Sequence, residues 1–218
     1  MESASIFFNQ IRFLDMEVKG PANSHNTDGC DPESCTNVEI AGVHFSVGDD
    51  CIAIKSGKIY MGKKFKVPSK HIHIRQSWMQ DGHGAVTVGS EIAAGVDDIH
   101  ISKCRFSNTD RGLRVKTRRG RGKDSVLKGI VFEDLELEGV KAPFVVNSFY
   151  FKFPVVPRPA LVDDGTGEIE NGAFFKVALH AVLHFDNYLF ARVRGAVDIV
   201  DDASSFRVVR QLLVVQKR

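Results

Sequence analysis

Short runs of apolar residues spaced two apart recur through the first two thirds of this chain, and that rhythm restricts its fold more than any other feature. The runs cover residues 10–18 (QIRFLDMEV), 37–45 (NVEIAGVHF), 71–78 (HIHIRQSW), 98–106 (DIHISKCRF) and 129–137 (GIVFEDLEL). Their starts lie 27 to 34 residues apart. A shorter apolar run follows most of them, at 51–55 (CIAIK), 85–89 (AVTVG), 113–117 (LRVKT) and 144–147 (FVVN), with Gly, Asn and Asp in between. Alternation at period two marks a strand with one buried face. A recurring period of this size marks a stacked repeat whose length differences fall in loops. The pattern predicts a parallel β-helix, each turn built from two or three short strands. An antiparallel sandwich is the rival. It also has many short strands, but it does not bring equivalent positions together turn after turn.

In a solenoid, successive turns lie about 4.8 Å apart, so residues distant in sequence meet when they occupy matching points of the repeat. Several polar residues do. Asn26, Thr27 and Asp28 lie in the turn after the first strand, and Asp49 and Asp50 lie in the matching turn one coil later. His83, between Gly82 and Gly84, precedes the run at 85–89, and Arg114 and Lys116 lie in the run at 113–117. Each has an ordinary explanation when taken singly. An Asp-Asp pair caps a turn, a histidine between glycines is a turn residue, and strand cations face water. Together, at one point of the repeat, they line one edge with three acids, a histidine and two cations. Glycosidic hydrolysis needs one carboxylic acid to protonate the leaving oxygen and a second carboxylate as nucleophile or base. Neighbouring carboxylates raise one another's pKa, which keeps an acid protonated near its working pH. Cations beside them suit a sugar that itself carries a carboxylate.

Four segments, NTDG at 26–29, GDDCIAIKSG at 48–57, GHG at 82–84 and RGLRVKT at 111–117, resemble in wording and order the signatures of the polygalacturonases, glycoside hydrolase family 28. The resemblance covers residues 6 to 151. It implies an all-β fold, a right-handed single-stranded parallel β-helix of the pectin-lyase-like type. It also implies hydrolysis of α-1,4 bonds between galacturonic acid units of pectin, with inversion and with neither metal nor cofactor. By position, Asp49 resembles the general acid, and Asp28 and Asp50 the pair that activates water. His83 resembles the histidine that tunes the acid or contacts substrate. Arg114 and Lys116 resemble the cations that bind the galacturonate carboxylate, and Asn26 would orient Asp28. The family supplies a tyrosine from a later coil, for which Tyr188 is available without a surrounding motif. The GDDCIAIKSG wording is closer to bacterial and plant-like members, exo-acting ones included. The implied partner is polygalacturonate or an oligogalacturonide, acted on by a monomer outside the cytoplasm, in an extracellular or periplasmic setting.

Two departures shape the expected organisation. Family catalytic domains place several coils before the NTD segment and this chain has scarcely one, so truncation at the N-terminus is expected. After residue 151 the resemblance thins. Residues 152–159 are proline-rich, and 172–200 are apolar enough for strands, further coils or a helix near 173–184. The expected division is therefore 1–151 as catalytic coils and 152–218 as a divergent segment.

Composition bounds the alternatives. A net charge of +2 in 218 residues gives no electrostatic case for nucleic acid or a membrane surface, and no apolar run approaches a membrane span. Basic residues do cluster between Arg111 and Lys123, which reads as a solvated loop at its tail and a ligand-facing set at its head. Cys30, Cys35, Cys51 and Cys104 form no paired C-x-x-C unit, so zinc is not expected and buried core thiols are favoured over bridges. Three other functions remain on the sequence alone: rhamnogalacturonan or xylogalacturonan hydrolysis, a calcium-dependent lyase on a similar helix, and a non-catalytic pectin-binding module.

Overall fold

The computed structural model describes residues 3–118, 121–122, 124–147 and 150, with side chains from Phe7 onward, and the backbone of 175–185, 188–199 and 206–215. Strands follow one another in sets of three. The first turn holds β1 (Ser3–Ile6), β2 (Asn9–Leu14) and β3 (Glu17–Lys19), and the second β4 (Cys30–Glu33), β5 (Thr36–Ala41) and β6 (His44–Ser46). The third holds β7 (Asp50–Ile54), a one-helix insert α1 (Ile59–Phe65), β8 (Ser69–Arg75) and β9 (Trp78–Gln80). The fourth holds β10 (Gly84–Gly89), β11 (Val96–Ser102) and β12 (Arg105–Ser107). Then come β13 (Arg111–Lys116), the long β14 (Leu127–Glu138) and β15 (Ala142–Asn147). Equivalent strands stack into a six-stranded sheet, β1-β4-β7-β10-β13-β15, and a second sheet of the remaining strands. Pairing within β1–β15 is parallel throughout. A parallel β-helix is therefore the fold, and the antiparallel sandwich is excluded.

Apolar side chains stack inside in register. Cys30, Ile52, Val86 and Leu113 form one inward row along the first sheet. Val38, Ile72, Ile99 and Ile130 form another on the second sheet, with Ile40, Ile74, Ile101 and Phe132 beside it. Phe45, Met79, Phe106 and Leu137 form a third. All of these are buried in one core cluster. The rows explain why like sits on like: each side chain meets its own kind one strand spacing away.

The long apolar runs seen in the sequence are each bent once. In the second turn the inward residues run Val38, Ile40, then Val43 and Phe45, so the alternation slips by one residue at Gly42. The slipped residue is in the left-handed region, φ 66° at Gly42, and Asp15, Gln76, Lys103 and Asp134 take φ between 49° and 53° at the matching points. One extra residue at positive φ turns the corner between β2 and β3, β5 and β6, β8 and β9, and β11 and β12. In β14 the same bend falls inside one continuous strand. The interval from Asn37 to His71 exceeds that from His71 to Asp98 by the length of α1, which has 7 residues. Length variation thus falls outside the strands, as the repeat requires.

Beyond the described core coils, β16 (Phe175–Phe185) pairs parallel with β14, and β17 (Tyr188–Ile199) and β18 (Phe206–Val215) turn back antiparallel. Of the segment near 173–184 where a helix was one expectation, the described residues from 175 onward form the strand β16. Among the described residues no helix is long and apolar enough to cross a membrane. All four cysteines are buried, and burial pushes the Cys51 thiol up to about 12 and that of Cys104 to about 11.

Candidate active site

The chemistry-bearing residues gather at the start of the six-stranded sheet. Asp28 lies in the loop before β4, Asp49 immediately precedes β7, and Asp50 is the first residue of β7. His83 immediately precedes β10, and Arg114 and Lys116 belong to β13. Parallel pairing sets Asp50 beside Gly84 and Thr87 beside Arg114, so residues spread over some 90 positions of sequence meet on neighbouring strands.

Asp28, Asp49 and Asp50 each present a carboxylate oxygen within 4.8 Å of the others. Their partners differ. Asp50 is fully buried, and its two oxygens accept from Arg114 Nη1 at 3.1 Å and Lys116 Nζ at 2.6 Å. Asp28 accepts the Asp50 backbone N–H at 3.1 Å on one oxygen and Lys55 Nζ at 3.1 Å on the other. Asp49 faces His83, whose Nδ1 stands 3.3 Å from its Oδ1. Two carboxylates are thus paired with cations, while the third is half-exposed beside a histidine.

The glycines of the GHG segment are required by close packing on this cluster. A Cβ at Gly82 would stand 2.5 Å from the Asp49 carbonyl oxygen, and one at Gly84 would stand 2.8 Å from Asp50 Oδ1. His83 is held between them, its N–H donating to the Asp49 carbonyl at 2.9 Å.

Three neighbours of the site went unrecognised in the sequence. Tyr150 lies over both cations, with its ring centre 5.3 Å from the Arg114 guanidinium and 5.1 Å from Lys116 Nζ. It follows β15, whose Asn147 is in register with Lys116, so position in the repeat was the available signal. The side chain of Tyr188 lies outside the described residues. Lys55 and Asp31 are the other two: Lys55 Nζ bridges Asp31 Oδ2 at 2.5 Å and Asp28 Oδ2. Asn26 is exposed at φ 53°, and among the described residues no hydrogen bond joins it to Asp28. What holds Asp28 is Lys55 and the Asp50 N–H.

Burial, with Asp28 beside it, pushes the Asp31 carboxyl up from 3.8 to about 7 against the opposing pull of Lys55. Burial alone would lower the Lys55 ammonium, but Asp31 and Asp28 outweigh it and leave it above its ordinary value. Unfolded, Asp31 releases its proton near pH 4; folded, it keeps it to about pH 7. Its contribution to stability is therefore complete below about pH 4 and is lost as the pH rises to about 7. Carbon-13 carboxyl titration of the folded chain is expected to place the Asp31 midpoint near 7. A midpoint in the ordinary aspartate range would contradict this account of its surroundings.

Fold and site define a class: a parallel β-helix with clustered acids and cations at the start of one sheet. The sequence model for glycosyl hydrolases family 28 matches residues 5–160, and the chain belongs to that family. A probable polygalacturonase of Vitis vinifera is 33% identical over 135 residues, 60% of this chain and 28% of that protein. An endo-polygalacturonase of Pectobacterium carotovorum subsp. carotovorum is 32% identical, over 62% of this chain and 31% of that protein. The crystal structure of a hyperthermoactive exopolygalacturonase from Thermotoga maritima superposes with TM-score 0.65 at 30% identity, over 68% of this chain and 33% of that one. The chain spans about a third of the length of these relatives.

Proposed function

We propose that this chain hydrolyses α-1,4-galacturonosidic bonds of polygalacturonate with inversion, Asp49 serving as general acid and Asp28 with Asp50 activating the attacking water. The observation that carries this reading is the unequal pairing of three clustered carboxylates. A carboxylate that must take a proton from water is served by an adjacent cation, and one that must give a proton is not. Lys55 stands on Asp28, and Arg114 and Lys116 on Asp50, while Asp49 has only His83. His83 then tunes Asp49 or contacts the sugar. Arg114 and Lys116 keep further N–H donors beyond those used on Asp50, because a guanidinium carries five and an ammonium three. Those donors suit a galacturonate carboxylate, with the Tyr150 ring beside them. Asn26 lines the same turn as Asp28 and is open to substrate.

The pairing also favours a hydrolase over a calcium-dependent lyase. Both oxygens of Asp50 and of Asp28 already accept from protein donors, which leaves a divalent cation few free ligands in the cluster. On this reading the chain works as a monomer and needs no cofactor. The substrate is a cell-wall polymer, so the reading places the work outside the cytoplasm. The test is reducing-end release from polygalacturonate and from its fully methyl-esterified form, each with and without a chelator. Release from the free acid, unaffected by the chelator and much reduced by esterification, is expected. Cleavage that stops with chelator, or that prefers the ester, would overturn the reading.

A further inference from the structure

We propose that Lys55 is a positioning residue, anchored on Asp31, that clamps the Asp28 carboxylate in place against the Asp49–Asp50 turn. The inference rests on the hydrolytic reading above and adds a part to it. Lys55 follows β7 directly, and its backbone is fixed on both sides. Its N–H donates to the Pro32 carbonyl at 2.9 Å, and its own carbonyl accepts from the Ser34 N–H at 2.9 Å and Ser69 Oγ at 2.6 Å. From that fixed origin the side chain runs to Asp31 and Asp28, where all three side chains are at most 19% exposed.

Asp28 needs such a clamp. It belongs to no strand, in a loop whose neighbours His25 and Asn26 are exposed. Two contacts orient its carboxylate, the Asp50 N–H on one oxygen and Lys55 on the other. Without Lys55 no cation holds that oxygen, and the carboxylate is left to turn about the Asp50 N–H with only the neighbouring Asp31 carboxyl beside it. Displacement of a reacting group by about 1 Å costs as much as 10²-fold in rate.

The cluster is poorly explained as a stabilising device. Two aspartates share one ammonium, and Asp31 Oδ1 is buried without a hydrogen-bond partner. A buried ionic group left partly unsatisfied is no more stable than apolar packing of the same shape. The raised Asp31 carboxyl agrees with that cost. The charged groups around Lys55 are Asp28, Asp31 and its bridge partner Glu33 on one side. On the other side β10 (GAVTVG) carries no ionisable side chain, and Lys116 on β13 is engaged with Asp50. Lys55 thus has its two bonded carboxylates and no competing cation between it and them.

The experiment uses the full chain with Lys55→Met, Lys55→Arg and Asp31→Ala, kinetics on an oligogalacturonide of defined length, and crystal structures of the parent and Lys55→Met. Lys55→Met is expected to lower kcat by about 10- to 100-fold with KM within about twofold, and Lys55→Arg to recover most of the loss. In the Lys55→Met crystal the Asp28 carboxylate is expected to turn away from the Asp50 N–H. Should Lys55→Met not fold, Asp31→Ala removes only the anchor, and a fall in kcat without a change in KM is expected there too. An unmoved Asp28 in the Lys55→Met crystal, or an unchanged kcat, overturns the clamp. A raised KM at unchanged kcat would make Lys55 a substrate-binding group instead, which also overturns it. If the parent chain leaves the oligogalacturonide intact, the hydrolytic reading falls, and the crystal structures still decide whether Lys55 holds Asp28.

Discussion

Asp49→Asn is expected to lower galacturonan cleavage by about 10²–10⁴-fold while leaving the melting temperature close to that of the parent. Asparagine has the shape of aspartate but no acidic proton to give the leaving oxygen. The backbone contacts of Asp49 do not involve its side chain: its N–H donates to the Thr27 carbonyl at 3.2 Å and its carbonyl accepts from the His83 N–H. Among the described residues the side chain pairs only with His83, itself exposed, and its other close neighbours are the like-charged Asp28 and Asp50, so the fold loses little. A rate assay paired with thermal melting checks both halves. Near-parental rates would remove Asp49 from the acid's role.

Asp50→Ala, one residue away, is expected to damage the fold as well as the chemistry. The Asp50 side chain is 1% exposed and is the partner of two cations, Arg114 and Lys116, that are themselves only 12% and 10% exposed. Removing one member of a buried ionic set leaves the others uncompensated and costs about 3 kcal/mol or more. Residual access to water at Arg114 and Lys116 holds the loss toward the lower end. Guanidinium denaturation is the measurement, read as a fall in midpoint at constant slope. A variant as stable as the parent would mean that the two cations find other partners. Adjacent aspartates thus differ in kind: Asp49 is cheap to neutralise and costly to chemistry, whereas Asp50 is costly to both.

The fold was legible because the core is made of repeats. Val38, Ile72, Ile99 and Ile130 recur at the period of the coil, and their alternation identifies the strands. The corners were legible in principle. The slip from Ile40 to Val43 marks the bend at Gly42, and the same slip separates Ile101 from Cys104 and Phe132 from Leu135. Reading each run as one strand passed over that slip. The helix α1 left no such mark, since its 7 residues are too few to show a period. In the site, the residues within short motifs were visible, because their spacing in sequence matches their spacing on the sheet. Asp31 and Tyr150 lie outside those motifs, and Lys55, though inside the segment at 48–57, drew no role from it. Their importance comes from contacts across coils: Lys55 reaches back 27 residues to Asp28, and Tyr150 lies over a pair of cations on the preceding strand of its sheet. Asn26 shows the reverse. Its motif implied a tie to Asp28, but among the described residues the carboxylate is held by Lys55 and the Asp50 N–H.

The proposed hydrolysis adds one water across a galacturonosidic bond at the Asp28, Asp49 and Asp50 cluster. Mass spectrometry of the products formed from one defined oligogalacturonide tests this directly. The account predicts fragments whose masses sum to the substrate plus one water, formed by the parent chain and absent with Asp49→Asn. A fragment lighter by one water, the unsaturated product of elimination, or an untouched substrate with the parent chain, would contradict it.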